Sequence, residues 1–245
     1  MQLFAHTNPH IQSIAEFIES ERNRYTCENG NRFIFALNCI SKKYRAIWTL
    51  KRLSAPLAAE FVTLARSSFD RASNLTPTDH LQRIAKTNEL SEELILLFEC
   101  FFMNAAILCD ELAHLLLYFF GEARGIKMSG HRVLCNSFTS YATAKGIDFD
   151  PELLGEAKFL ELEVCEFRDK QIVHDFNPRK LDFIGFDNVT EDIFLNCGAF
   201  FYPKESDLIV VSKPWNELIA RLDNYVRLHL KLIHDNHAHS RLNRA

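Results

Sequence analysis

Phe167-Arg168-Asp169-Lys170-Gln171-Ile172-Val173-His174-Asp175-Phe176 is the stretch from which this chain is best read. It closes a long predicted helix. Leu153, Ala157, Leu160, Val164 and Phe167 recur at steps of four, three, four and three, the spacing of one packing face on an α-helix. Asp150 is placed to cap that helix and Pro151 to occupy its first turn. Asn177-Pro178 is placed to end it. The same steps continue onto Gln171 and His174, so the packing face turns polar just before the stop. On an α-helix, Arg168 and His174 would lie about 9 Å apart along the axis and about 120° apart around it. A guanidinium arm can bridge that gap, so an arginine and a histidine converge at one helix end.

Working outward, helices dominate. Pro9 to Tyr25 places Ile11, Ile14, Ala15 and Ile18 on one face. Asn29-Gly30-Asn31 reads as a turn. Arg32 to Leu53 follows, with Phe33, Leu37, Ile40, Tyr44 and Ile47 on one side and Lys42, Lys43, Arg45 and Arg52 elsewhere. Ser54-Ala55-Pro56 reads as a break, and Leu57 to Ala72 as a third helix. Asn74 to Asn88 reads as a linker. Ser91 caps a long helix to Phe120 that is apolar nearly all round and is therefore expected to be the central buried helix. Arg132 to Lys145 precedes the motif helix and ends at Gly146. Beyond Pro178, Asp192 to Tyr202 and Asp207 to Ser212 read as two short strands around Pro203-Lys204-Glu205-Ser206. An amphipathic helix through Leu218, Leu222, Tyr225, Val226 and Leu230 completes the chain. The expected fold is all-α, a helical bundle with a small C-terminal β-hairpin. We expect one mainly helical domain over 1–245: basic helices in 1–75, a core in 90–178, and the hairpin plus last helix in 190–235.

Composition agrees. Of 245 residues, 47% are hydrophobic, enough for a sizeable core. Only 8 glycines and 7 prolines are present, too few for an all-β fold with many turns, while 21 phenylalanines suit thick helix packing. Met1 to Phe17 lacks the basic start and apolar run of a signal peptide. Charges interrupt the apolar stretch from Leu94 to Phe120, so no membrane partner is expected. The seven cysteines, at 27, 39, 100, 109, 135, 165 and 197, show no Cys-x-x-Cys spacing. They read as small hydrophobes in a reducing cytoplasm. A net charge of −4 argues against a general nucleic-acid binder, yet Glu21 to Arg71 holds ten Lys/Arg against four Asp/Glu. That local excess reads first as a solvated helix surface and second as a source of phosphate contacts.

Arg168-Asp169 and then, after four intervening residues, His174, at the end of a helix, resemble the R-x(4–6)-H motif of the HEPN superfamily. The likeness covers Ser91 to Asn177. It implies a helical bundle that dimerises and, in many members, a metal-independent endoribonuclease, often a toxin or antiviral effector. It assigns catalysis to Arg168 and His174, with Asp169 and Lys170 supporting them, and it implies no cofactor and no metal at the pair. The partners implied are a second copy of the chain, an RNA substrate, and an antitoxin or regulatory protein. Some family toxins carry a tyrosine two positions after the histidine; Phe176 stands there. The alternative is an inactive HEPN-like dimer serving as a binding or structural module.

Two other constellations compete. Glu111 and His114 form Glu-x-x-His, half of a di-iron carboxylate site, but no second copy accompanies them. They read as a polar strip on a core helix. His229, His234, His237 and His239 cluster near the C-terminus, whose last part reads as a frayed polar tail. Neither a phosphate-cradling glycine loop nor a Gly-x-Ser-x-Gly or His-Glu-x-x-His motif is present, which leaves NTPase, α/β-hydrolase and zincin readings unsupported.

Overall fold

A computed structural model of the chain describes residues 9–24, 28–69, 76–126, 128–173, 180–199 and 211–244. Its helices are α1 (Pro9–Arg24), α2 (Glu28–Phe69), α3 (Pro77–Phe120), α4 (His131–Lys145), α5 (Pro151–Leu160) and α6 (Trp215–Asp235). α5 runs on through two π-wound stretches, Glu161–Cys165 and Arg168–Val173. Strands β1 (Lys180–Phe186), β2 (Ile193–Ala199) and β3 (Val211–Pro214) form an antiparallel sheet in the order β1-β2-β3. The all-α class with a small C-terminal sheet therefore holds. The sheet has three strands where two were expected. β1 was missed, and Tyr202 and Pro203 to Ser206 lie outside the described residues.

Three helix boundaries differ from the sequence reading, each for a physical reason. α2 starts at Glu28, so Asn29-Gly30-Asn31 is its first turn and not a separate one. Backbone N–H groups in a first turn have no intrahelical partner in any case, so poor helix formers cost least there. α2 also passes through Pro56 without a break. Arg52, Ala55 and Pro56 are exposed, so water can reach the carbonyl that proline leaves unbonded. Ser54 Oγ meanwhile donates to Lys51 O at 2.9 Å. Buried Ile47, Phe61 and Val62 anchor the helix on either side.

The third difference is α3, which begins at Pro77 and not at Ser91. Thr76 and Asp79 cap it reciprocally: Asp79 N donates to Thr76 Oγ1 and Thr76 N to Asp79 Oδ2, both at 3.2 Å. This is a capping box with proline at the first helical position. The stretch reads as a linker from its Asn74, Thr76, Pro77, Thr78 and Asp79 and the weak helical pattern after them, and in the fold Leu81 and Ile84 of these turns are exposed.

The Cα positions group into two compact units. The first comprises 1–47, 104–166 and 221–245. Its core takes Phe33, Leu37, Ile40 and Tyr44 from α2, Leu112, Leu116 and Phe119 from α3, Phe138 and Tyr141 from α4, and Leu222, Tyr225 and Val226 from α6. The predicted faces of α2 and α6 are thus the buried ones. Tyr44 Oη donates to Asp223 Oδ1 inside this unit. Lys42, Arg45 and Arg52, from the basic side of α2, are exposed, and Lys43 Nζ donates to Asn104 Oδ1 at 3.2 Å.

The C-terminal tail is not frayed. His237–His239 and Arg241–Arg244 form short 3-10 turns. Ser240 and Leu242 are buried, and Arg241 Nε donates to Tyr118 O at 2.9 Å. The last turn of α3 leaves carbonyls without helical donors, and this contact fills one of them.

The second unit comprises 48–103 and 167–220. Its centre is an aromatic cluster. Trp215 packs at 4.3 Å from Phe98 and 5.2 Å from Phe101, centroid to centroid, and Phe102 stands 4.6 Å from Phe167. Among the described residues, no helix is long and apolar enough to cross a membrane.

Candidate functional site

The expected stripe on α5 is buried at every position: Leu153, Ala157, Leu160, Val164 and Phe167. Asp150 caps the helix, its Oδ1 accepting from Glu152 N at 3.0 Å, with Pro151 behind it. From Glu161 onward the winding departs from α. In a π-helix the bonds run from i to i+5, so residues five apart stack in place of residues four apart. The α-helical angle expected for the Arg168–His174 pair therefore does not carry past Cys165.

Phe167 fixes where the motif begins. One side of its ring meets Phe102, and Lys213 Nζ lies 4.9 Å from the ring centroid. Lys213 is itself buried, a cation beside the motif that the sequence reading did not single out. A Ser-Lys-Pro-Trp run leading into a helix carries no signal for it.

Arg168 follows, 20% exposed at its side chain, with Nη2 at 2.6 Å and Nε at 2.8 Å from Asp169 Oδ1. Two guanidinium nitrogens on one carboxylate oxygen hold the planar group in a single orientation. Asp169 is thus the partner of Arg168, a contact between sequence neighbours. Lys170 lies in the π stretch, but its side chain is outside the described residues, and so are His174, Phe176 and Asn177-Pro178.

Glu111 and His114 gather no metal-ligand set among the described residues; His114 Nε2 meets Ser129 O at 3.3 Å. The tail histidines form no metal-ligand set among the described residues either, although the His234 and His237 rings stand 5.9 Å apart. His229 is buried, its Nδ1 donating to Tyr225 O at 3.0 Å, while His237 Nε2 meets Glu21 Oε1 at 3.4 Å. Burial depresses the His229 pKa to about 3, so the ring is neutral at ordinary pH.

What the sequence reading missed is a sulfur-rich group inside the first unit. Cys109 comes from α3, His131 and Cys135 from α4, and Glu161 and Cys165 from the first π stretch. His131 Nδ1 lies 2.9 Å from Glu161 Oε2, 3.7 Å from Cys165 Sγ and 3.9 Å from Cys135 Sγ. The ligand atoms of Cys109, His131 and Cys165 all fall within 4.8 Å of one another, as do those of His131, Cys135 and Glu161. All three cysteines and His131 are buried.

The electrostatics are strongly perturbed. Burial pulls the His131 pKa down, but hydrogen bonds to Cys135, Cys165 and Glu161 outweigh it and hold the pKa well above its ordinary value. The hydrogen bond from Cys109, with help from His131, draws the Cys165 thiol down to about 6, whereas Cys109 is pushed well up. His131 and, after it, Arg132 keep Glu161 below the usual carboxylate range. The signals in the sequence were His131-x-x-x-Cys135 and Glu161-x-x-x-Cys165, two pairs at one-turn spacing. Cys109 could be joined to them only by the packing of α3.

A second concavity lies in the other unit. A pocket of about 700 Å³ is walled by Phe61, Ile84, Phe183, Phe186 and Phe194, with Asn196 at its side. No titratable side chain lines it among the described residues, which suits apolar binding and not chemistry.

No protein-family model, characterised protein or solved structure matches this chain.

Proposed function

We propose that the chain is a HEPN-like, metal-independent endoribonuclease acting through Arg168 and His174. The observation that carries this reading is the state of Arg168. It is a partly exposed guanidinium at the end of a long helix, held in one orientation by its neighbour Asp169 and set beside the anchored Phe167. A preoriented, accessible guanidinium is what a phosphodiester needs as it gathers charge.

In this mechanism His174 takes the proton from a ribose 2′-hydroxyl, since an imidazole titrates near neutrality. The 2′-oxygen attacks the adjacent phosphorus, and Arg168 holds the phosphate oxygens and offsets the charge that builds on them. The 5′-oxygen leaves with a proton from the histidine of a second subunit. The products carry 2′,3′-cyclic phosphate and 5′-hydroxyl ends. Asp169 orients Arg168. Lys170, four residues before His174 in sequence, contributes a positive charge that favours the neutral, basic form of the imidazole.

The test is cleavage of a long RNA by purified protein, followed by the Arg168→Ala and His174→Ala variants. Loss of a general base costs about 10²–10⁴-fold in rate, and each variant is expected to fall in that range while circular dichroism shows the fold retained. EDTA present only during the assay is expected to leave the rate unchanged. Glu111→Gln and His114→Ala are expected to cleave as wild type does. A folded wild-type protein that cleaves no RNA refutes the enzyme and leaves the inactive dimeric module.

A further inference from the structure

Three thiols, an imidazole and a carboxylate converge in the first unit, and the ribonuclease reading uses none of them. We propose that Cys109, Cys135, Cys165 and His131 hold one thiophilic d10 cation of the zinc class as a closed structural centre.

The argument begins with distances. Zinc bonds run about 2.3 Å to sulfur and 2.0–2.1 Å to imidazole nitrogen, which makes the nitrogen–sulfur edge of a tetrahedron about 3.6 Å. Cys165 Sγ and Cys135 Sγ stand 3.7 and 3.9 Å from His131 Nδ1, close to that edge before any ligand has moved. Cys109 Sγ falls within 4.8 Å of both His131 and Cys165, on a third helix. Three ligands from three chain segments therefore stand together, and Cys135, which groups with His131 and Glu161, turns toward them to serve as the fourth.

The chemistry of the set also fits. Thiolates with one imidazole select zinc or copper(I) over the hard cations that prefer oxygen. Burial of His131 and all three cysteines leaves no open position for water, as in a structural centre and unlike a catalytic one. Binding would displace the protons of the thiols and of the imidazole Nδ1. Glu161 Oε1 is taken by Arg132 Nε at 2.9 Å, and Glu161 Oε2, 2.9 Å from His131 Nδ1, gives up that contact when the nitrogen turns to the cation, so the carboxylate serves beside the centre.

Two independent observations point to the same place. Tyr225 Oη is fully buried with no hydrogen-bond partner, and its ring stands edge-on to His131 at 5.5 Å. The thiols of Cys109, Cys135 and Cys165 act on this hydroxyl electrostatically, so it is an unsatisfied donor that metal-held thiolates would attract. The backbone is also arranged around His131. Asp110, next to Cys109, accepts from His131 N at 2.9 Å, and Gly130 permits that approach because a Cβ there would stand 3.1 Å from Asp110 Oδ1. The π stretch Glu161–Cys165 is the kind of irregularity that recurs at functional sites in helices.

The experiment uses the full chain, purified under reducing conditions without a metal-affinity tag. Elemental analysis is expected to find one zinc per chain. Exchange for Co²⁺ is expected to give thiolate-to-cobalt charge-transfer absorption with tetrahedral d–d bands. Cys165→Ser and Cys135→Ser should each weaken the charge-transfer band and bind more weakly by at least tenfold, while Cys39→Ser should match wild type. Glu161→Gln should keep the sulfur spectrum. If the serine variants do not fold, the wild-type cobalt spectrum and stoichiometry decide alone. A folded, reduced wild type that takes up neither Zn²⁺ nor Co²⁺ at micromolar concentration overturns the proposal. So does a Cys109–Cys165 disulfide in protein alkylated at lysis, or cobalt bound with only oxygen–nitrogen bands. RNA cleavage is a separate readout, so either reading can fail without the other.

Discussion

A Cβ added at Gly185 would stand 2.3 Å from Phe194 Cε2 and 2.9 Å from Asn196 Nδ2. Gly185 pairs directly with Phe194 across β1 and β2, and the phenylalanine ring occupies the space a side chain would take. Gly185→Ala is therefore expected to cost about 1–3 kcal/mol as an overpacking change, read by urea denaturation. Adding Phe194→Leu should recover part of it, since the obstruction is a side chain. His229 offers a second residue-scale test. Its folded pKa of about 3 lies below the ordinary histidine value, so between about pH 6.5 and 3 the unfolded chain binds a proton that the folded chain refuses. Stability must then fall as pH drops through that window, by up to about 1.4 kcal/mol per unit, and stay level with respect to this group above it. His229→Gln should flatten the acid limb of a melting-temperature profile. A limb unchanged in the variant would show that another group governs it.

Among the elements, α3 shows most clearly how a local signal can be present and overlooked. Thr76-Pro77-Thr78-Asp79 contains the capping box and the N-terminal proline, yet hydrophobic periodicity marked only the later turns. Thr76→Ala is expected to cost about 1 kcal/mol and to fray the exposed first turns, detectable as faster amide exchange over 77–84. Asp150→Ala should cost a similar amount at α5, whose cap was legible from sequence. β1 went unread because Gly185 and the polar ends of Lys180–Phe186 weaken its alternation. Its turn is nonetheless well specified: Asp187 Oδ1 accepts from Val189 N at 2.8 Å and Thr190 N at 2.6 Å, and Glu191 takes φ 58.

For the molecule as a whole, the remaining expectation is assembly. Val164 and Phe167, the last apolar positions of the stripe that leads to Arg168, are already covered within one chain. An isologous contact along this helix would then use exposed residues such as Leu162 or Arg168, and not the apolar stripe. We expect a homodimer in light scattering at micromolar concentration, with Arg168→Glu shifting it toward monomer. A wild-type protein that is monomeric throughout that range removes the second histidine from the mechanism, and with it the proposed source of the leaving-group proton.

The sequence by itself determined the helices. Period and composition marked the buried faces of α2, the later turns of α3, α5 and α6, because a helix face is written in residues three and four apart. It also placed Arg168 beside Asp169, since neighbours in sequence need no fold to meet. Tertiary structure decided what depends on residues far apart. The π winding after Leu160 was not legible in the apolar spacing, which continues unbroken through Val164 and Phe167. The docked tail depends on α3 carbonyls more than a hundred residues away. The sulfur group is the clearest case. Cys109, Cys135 and Cys165 read singly as small core residues, His131 drew no reading, and only the packing of three segments brings the sulfurs within a few ångströms of its ring.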